Sequence, residues 1–287
     1  MFGNTLVNRY LSEWSLTRRK TFTNCARRYA KQYFFITKLG NYKSGSTTNI
    51  SYFDLMIKCT RIVLFELLSD LHKGIHWKDK VIISKMRFHI NVNYLTNSQQ
   101  KIPSKKKNQL IINGYRRIKG LMKQEVLRKI VDKSIKEWSF HHRVQSTRFG
   151  HLDVYCSPDI VYRQDSVWHL VRLNFHSEHR QPFQDLELCS MLLWSKGNQY
   201  LPSLDEKFLI HGLSWHKGKW VYNQVKPNQK LLQQTKQLLE KDVHHFNILA
   251  QEFYRSNDYD SLPLTKTKLY CNRCPYKINC PINKQVR

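Results

Sequence analysis

Leu152-Asp-Val-Tyr-Cys-Ser-Pro158-Asp159-Ile-Val-Tyr-Arg-Gln-Asp-Ser-Val167-Trp-His-Leu-Val-Arg172-Leu-Asn174-Phe175 is the stretch on which the fold turns. Leu152 to Tyr162 and Val167 to Phe175 are rich in β-branched and aromatic residues, and Arg163-Gln-Asp-Ser166 has turn chemistry, so two strands are expected. The Leu-rich segment Asp185 to Trp194 reads as a short helix. Phe208 to Trp215 and Lys219 to Val225 predict a second hairpin around His216-Lys-Gly218. Leu231 to Phe253 follows as a long helix with Leu232, Leu239, Val243, Phe246 and Ala250 on one apolar stripe. Strands with one inserted helix, flanked by further helices, make an α/β core.

Upstream the chain reads as helical and basic. Ser12 to Phe35 predicts a helix crowded with Arg18, Arg19, Lys20, Arg27, Arg28 and Lys31, with Trp14, Phe22, Tyr29 and Tyr33 interleaved. Asn41 to Asn49 is a polar loop, and Phe53 to Leu71 a core-facing helix. Asn97 to Asn108 carries Lys101, Lys105, Lys106 and Lys107 around Pro103 and reads as an exposed basic loop. Leu110 to Trp138 predicts another helix, bearing Arg116, Arg117, Lys119, Lys123 and Arg128 among its cations. The organisation expected is one unit: a mainly helical basic region over 1–140, a β-rich core over 141–228, and a helix with a cysteine cluster over 229–287.

Composition narrows the partners. In 287 residues, 48 Lys and Arg face 21 Asp and Glu, a net charge of +27. Such a field attracts polyanions, with nucleic acid first among them, and an acidic protein as the other reading. Arg27, Arg28, Lys105, Lys106, Lys107, Arg116 and Arg117 are the candidate phosphate contacts. No apolar run resembles a signal peptide or a membrane span, and neither amphipathic anchor nor lipidation motif is present, so a cytoplasmic protein without a membrane partner is expected.

The cysteines point to metal. The tail reads Cys271-Asn-Arg-Cys274-Pro-Tyr-Lys-Ile-Asn-Cys280-Pro, a C-x2-C-x5-C cluster, and Cys25 offers a fourth thiol in a basic, aromatic setting. Four thiolates hold either an iron–sulfur cluster or a zinc ion. Sharing the ligands between position 25 and the tail would staple the chain ends together. Cys59, Cys156 and Cys189, scattered singly among apolar residues, read as buried thiols.

These features together resemble the iron–sulfur branch of the PD-(D/E)XK nucleases, which includes RecB-like and AddB-type nucleases and the nucleases of CRISPR adaptation. The residues that carry the resemblance are Cys25, the two-strand segment containing Pro158-Asp159-Ile-Val, the helix that follows the strands, and the tail triplet. The resemblance implies a restriction-endonuclease-like fold and a [4Fe–4S] cluster on Cys25, Cys271, Cys274 and Cys280. It also implies a metal site in which Asp159 is the first acid.

The remaining catalytic positions depart from that pattern. Arg172 stands where the second acid belongs and Asn174 where the lysine belongs. Phe65 replaces the histidine expected before Glu66-Leu-Leu, and Glu187 and Met191 replace the Gln-x3-Tyr pair. A guanidinium at a ligand position repels Mg2+ or Mn2+. The reading is therefore a catalytically degenerate protein that binds DNA as a subunit of a DNA-processing, recombination or defence complex, beside a helicase or nuclease. The enzyme alternative is a metal-dependent deoxyribonuclease whose acidic cage has moved to Asp153, His176, Glu178 or Glu187. The alternative of another class is a basic scaffold for an acidic protein. Arg172 itself has two open readings, a phosphate contact or an ion pair with Asp159.

Overall fold

The computed structural model describes residues 12–34, 51–95, 102–175, 183–202, 208–256, 258, 260–265, 270, 271, 274, 276, 277 and 280. His176, Glu178, Lys101 and the loop 41–49 lie outside these residues. Among the described residues the chain is mixed α/β, with eight helices and two mixed sheets.

The N-terminal segment is not one helix. Glu13–Ser15 is a strand, β1, followed by helices α1 (Leu16–Asn24) and α2 (Ala26–Tyr33). The break falls at Cys25, whose backbone is extended. Ser15 caps α1 by accepting from the Arg18 N–H at 3.1 Å. Tyr52–His72 forms α3, capped by Ser51, whose hydroxyl accepts from the Asp54 N–H at 3.1 Å. Asp79–Leu95 forms α4, a helix without a counterpart in the expectations above.

The expected basic loop is largely helix. Ser104–Met122 is α5, so Lys105, Lys106 and Lys107 lie on its first turn. Pro103 opens this helix instead of interrupting it, because the first turn has no intrahelical partner for its N–H groups. The long helix expected to Trp138 ends early. Gln124 is extended, Glu125–Val131 forms a separate α6, and Lys133 takes a left-handed conformation (φ 62°) that stops it.

Trp138–Phe140 (β2), Thr147–Phe149 (β3), Leu152–Tyr155 (β4), Ile160–Gln164 (β5) and Val167–Asn174 (β6) follow. Leu152 to Tyr162 is thus two strands in different sheets, separated at Pro158, which cannot donate to a ladder. β4 joins β1 and β3 in a three-stranded sheet, order β1-β4-β3. The five-stranded sheet runs β2-β5-β6-β7-β8, where β7 is Phe208–His216 and β8 Lys219–Val225. Helix α7 (Phe183–Lys196) crosses from β6 to the parallel β7, and α8 (Gln229–Ser256) closes the chain's helical set.

Strand alternation divides the core in two. Ile160, Tyr162, Val171, Leu173 and Leu213 pack toward α3–α6. Val161, Leu170 and Ile210 pack the other way, with residues of α2, α7 and α8. The five-stranded sheet therefore lies between two helical layers, and each strand can present different chemistry to each layer.

Candidate anion-binding cleft and cysteine clasp

Asp159 sits immediately before β5, where its N–H donates to the Val171 carbonyl at 2.8 Å and ties it to β6. Its carboxylate is buried, 2 % exposed. Arg143, from the loop after β2, grips it with both arms: Nε donates to Oδ1 at 2.9 Å and Nη2 to Oδ2 at 2.8 Å. The Leu173 N–H donates to Oδ2 at 2.7 Å. Two further guanidiniums stand close, Arg172 at 3.7 Å and Arg61 of α3 at 3.8 Å. Arg172 also lies 3.4 Å from Glu187 of α7 and donates to the Cys156 sulfur at 3.1 Å.

The position that would serve as the first metal ligand is therefore filled by a bidentate guanidinium. Burial pushes the Asp159 carboxyl up, but Arg143, Arg172 and Arg61 overcome it and hold it at about 2. Arg172 is raised above the ordinary guanidinium range although burial opposes its charge, because Cys156, Asp159 and Glu187 favour it. Arg61 has the opposite balance. Burial and repulsion from Arg143 and Arg172 lower it to about 10, against the attraction of Asp159. Its buried Nε has no hydrogen-bond partner.

Above this cluster opens a cleft of about 860 Å3. Arg18, Lys20, Arg61, Arg143 and Arg172 line it, against Glu13 and Glu187. Arg18 is paired with Glu13 and stacks over Tyr33 at 4.6 Å, and Arg172 is braced internally. Arg61 and Arg143, with side chains 31 % and 30 % exposed, are the guanidiniums that reach solvent within the cluster. Asn174 also lines the cleft, beside Arg172 on the same face of β6.

Of the residues weighed for a rebuilt cage, Asp153 and Glu187 are otherwise engaged, while His176 and Glu178 lie outside the described residues. Asp153, on the central strand of the small sheet, accepts from Ser12 and Arg148. Glu66 pairs with His89 at 2.7 Å and Lys85 at 3.0 Å. Glu187 faces Arg172. Phe65 stacks on His142 with ring centroids 4.7 Å apart, and Met191 is a core residue. Arg61 and Arg143 escaped the sequence reading. Arg61 lies four residues before Phe65, hence on the same helical face, which is the one local signal that could have exposed it.

The cysteine clasp is built on the break between α1 and α2. Because Cys25 is extended there, its sulfur caps α2 and accepts from the Arg28 N–H at 3.4 Å. Turns at the other end present the tail thiols: the Cys274 N–H donates to the Cys271 carbonyl at 3.1 Å, and the Cys280 N–H to the Lys277 carbonyl at 3.2 Å. Burial raises the Cys271 thiol, and Cys25, Cys274 and Cys280 raise it further, so the four thiols share one neighbourhood. Among the described residues, no group of three or more His, Cys, Asp or Glu is arranged to hold a metal ion. The clasp is a gathering of thiols rather than a closed ligand set. Four sulfur donors are the donor chemistry suited to iron–sulfur or zinc.

The candidate phosphate contacts separate by burial. Arg27 is 4 % exposed: its Nε donates to the Leu262 carbonyl at 3.2 Å and Nη1 to Asp260 at 3.0 Å. It pins α2 to the segment that leads into the tail. Burial raises the Cys274 thiol and the Tyr276 hydroxyl, and Arg28, lying by both, opposes that shift. Arg117 is buried between Trp215 and Phe53, at 4.9 Å and 5.8 Å. Lys105 and Arg116 are exposed on α5, while Lys106 and Lys107 are partly buried there.

Among the described residues no helix is long and apolar enough to cross a membrane. Compared with protein-family models and with curated proteins, the chain matches none.

Proposed function

We propose that this chain is a PD-(D/E)XK-fold protein without nuclease activity, which binds DNA phosphate in the Asp159 cleft as a subunit of a DNA-processing complex. The observation that carries the reading is Arg61. A guanidinium that reaches solvent in a cleft, beside two others and sharing Asp159 with them at 3.8 Å, leaves the cluster short of one anion. A phosphate oxygen supplies that anion with the charge-assisted geometry guanidinium favours. Nucleic acid is preferred over a small anion because the net charge is +27 and Lys105 and Arg116 offer further exposed cations.

Support for the fold comes from the order of elements. Antiparallel β5 and β6, crossover helix α7 and parallel β7 follow one another, with Asp159 entering β5 behind Pro158. Loss of cleavage follows from the chemistry around Asp159. Hydrolysis of a phosphodiester by this class of site needs carboxylates open to a divalent ion. Arg143 takes both Asp159 oxygens instead, and Arg172 stands beside them.

Cys25, Cys271, Cys274 and Cys280 would hold a [4Fe–4S] cluster, with zinc as the other metal that suits four thiolates. When bound, the cluster would supply a covalent staple between α2 and the tail, next to the Arg27 pin. The expected setting is the cytoplasm, beside a helicase or nuclease subunit.

The test is fluorescence anisotropy with labelled single- and double-stranded DNA across a salt series, followed by gel assay for cleavage in Mg2+ and Mn2+. Binding that weakens in Arg61→Ala, with no cleavage, is the expected result. Cleavage abolished by Asp159→Ala would overturn the pseudo-nuclease reading. Absence of binding to either DNA at low salt would leave the acidic-protein scaffold in its place.

A further inference from the structure

On the opposite face of the five-stranded sheet is a second pocket, of about 630 Å3, whose chemistry differs from the cleft's. Its wall is a hydrogen-bonded chain across three strands. His169 Nδ1 lies 2.7 Å from His211 Nε2, His211 Nδ1 lies 2.7 Å from the Tyr222 hydroxyl, and Tyr222 donates to Gln224 Oε1 at 3.2 Å. The chain has a direction. Because Tyr222 donates to Gln224, it accepts from His211 Nδ1–H, so His211 Nε2 carries the lone pair that accepts from His169 Nδ1–H. His169 is therefore left with Nε2 as an acceptor, on a partly exposed side chain that lines the pocket.

Two glutamines stand nearby. The Gln124 amide donates to the Gly120 carbonyl at 3.2 Å, and the Gln164 amide donates to Asp165 at 3.3 Å. With an N–H of each amide engaged, their side-chain oxygens remain as acceptors. Both residues line the pocket. Each amide keeps a second N–H beside its oxygen and so can meet either kind of partner, whereas His169 Nε2 is an acceptor alone and asks for a ligand that brings a donor.

Two more features define that ligand. The Tyr162 ring lies nearly parallel to His169, with centroids 4.2 Å apart and an angle of 9°, and His169 to His211 at 5.0 Å and 12°. These plates suit a flat heterocycle, and Tyr222, 48 % exposed, adds an accessible ring. The pocket also lacks the cleft's surplus of cations. Its Lys129 pairs with Glu125 at 2.8 Å, and Asp165 is the other charged residue lining it. Burial holds both imidazoles down at about 4, so neither adds positive charge near neutral pH. A phosphate has no cationic partner here comparable to the Arg61 cluster.

We infer that the pocket over His169, His211 and Tyr222 is a receptor for an unpaired nucleobase bearing an exocyclic amine, adenine or cytosine in preference to uracil or thymine. The base comes either from a free nucleoside or from a bound strand, and the inference does not depend on the phosphate reading of the Asp159 cleft. Adenine and cytosine present an amine donor to His169 Nε2, whereas uracil and thymine present a carbonyl at the equivalent edge. Mismatched acceptors leave buried polar atoms unpaired, so the discrimination is about tenfold or more.

The test uses the full chain. Adenosine, cytidine, uridine and thymidine are titrated by calorimetry, and an oligonucleotide carrying 8-vinyladenine, a fluorescent base that keeps the 6-amino group, is followed by fluorescence quenching. The expected result is saturable binding of the amino-bearing nucleosides, or quenching in the oligonucleotide, about tenfold weaker in His169→Phe, which keeps the plate and removes the acceptor. Binding of the nucleoside alone identifies a free ligand; quenching without it identifies a base carried by a strand. Gln164→Leu, at the end of its strand, is the second variant, and should weaken the same signal without a change in melting temperature. Equal affinity for uridine and adenosine, or no signal from any of the probes, would overturn the inference. Arg61→Ala should leave nucleoside binding intact, so failure of the cleft reading and failure of this one are distinguishable.

Discussion

Strand β6 serves two regions of opposite character. It sends Arg172 toward α7 and α8, into a cluster of guanidiniums around a buried carboxylate, and His169 toward α6, into a neutral chain of imidazoles and a phenol. In the cleft, charge persists because each buried ion has an opposite partner: Asp159 is held at about 2 and Arg172 above its ordinary range. In the pocket, burial removes charge, and both histidines fall to about 4. The same sheet thus carries buried ionised groups on one face and a neutral, ring-walled polar chain on the other. Depth alone does not decide which; the presence of a counter-ion does.

The largest effect should come from Arg143→Ala. It strips Asp159 of its bidentate partner and leaves a buried carboxylate between two guanidiniums that are 3.7 Å and 3.8 Å away. The expected loss is about 3–5 kcal/mol in urea unfolding, whereas His211→Gln in the neutral chain should cost about 1–2 kcal/mol. Equal losses would erase the distinction between the two faces.

Cys25→Ser should separate them in another way. Arg18, Lys20 and Tyr33 on α1 and α2 wall the cleft, and the proposed cluster on Cys25 and the tail would anchor this part of the chain. Protein prepared without oxygen should lose its iron in Cys25→Ser and in Cys271→Ser, but keep it in Cys59→Ser, because Cys59 is buried in the core. Hydrogen exchange should then rise over 13–34 and stay unchanged over β7 and β8. Stoichiometric zinc in place of iron would change the metal and leave the clasp standing.

A third expectation concerns salt. Arg61→Ala should weaken DNA binding by about tenfold and reduce the log–log salt slope by about 1, as for one lost phosphate contact. Tyr222→Phe should leave that slope unchanged. A shared slope change would place phosphate on both faces.

Acid should reveal the two regions in sequence. The histidines are depressed from 6.5 to about 4, so their contribution to stability is full above pH 6.5 and is lost as pH falls toward 4. Glu125, Lys129, Asp165, Tyr162 and Tyr222 are the titratable groups that face them. Asp159 is depressed from 3.8 to about 2, so its contribution is full above pH 3.8 and is lost only below it. Melting temperature should therefore fall in two limbs. His169→Gln combined with His211→Gln should flatten the upper limb alone, and this is the smallest of the expected effects.

Local chemistry was enough for the elements whose pattern repeats within a short span. The apolar spacing from Phe53 to Leu71 marked α3, and the hairpin around His216-Lys-Gly218 could be read from its turn, where Lys217 and Gly218 both take positive φ. Asp159 was visible in the Pro158-Asp159-Ile-Val motif, but the break at Pro158 that makes β5 a separate strand was not. The exposed cations of α5 were visible by charge, although the segment around Pro103 reads as a loop and Pro103 instead stands at a helix start.

Tertiary structure decided what charge and spacing left open. Arg27, Arg28 and Lys105 look alike in sequence, yet the first is a buried pin, the second faces the thiols and the third reaches solvent. Arg61 lies 98 positions from its carboxylate and Arg143 16, and no local pattern encodes either approach. The neutral chain draws His169, His211 and Tyr222 from three strands, so it exists only once the ladder sets their register. Charge and hydrophobic period are properties of neighbours along the chain. Whether a charge meets a partner, and so whether it stays ionised when buried, is a property of neighbours in space.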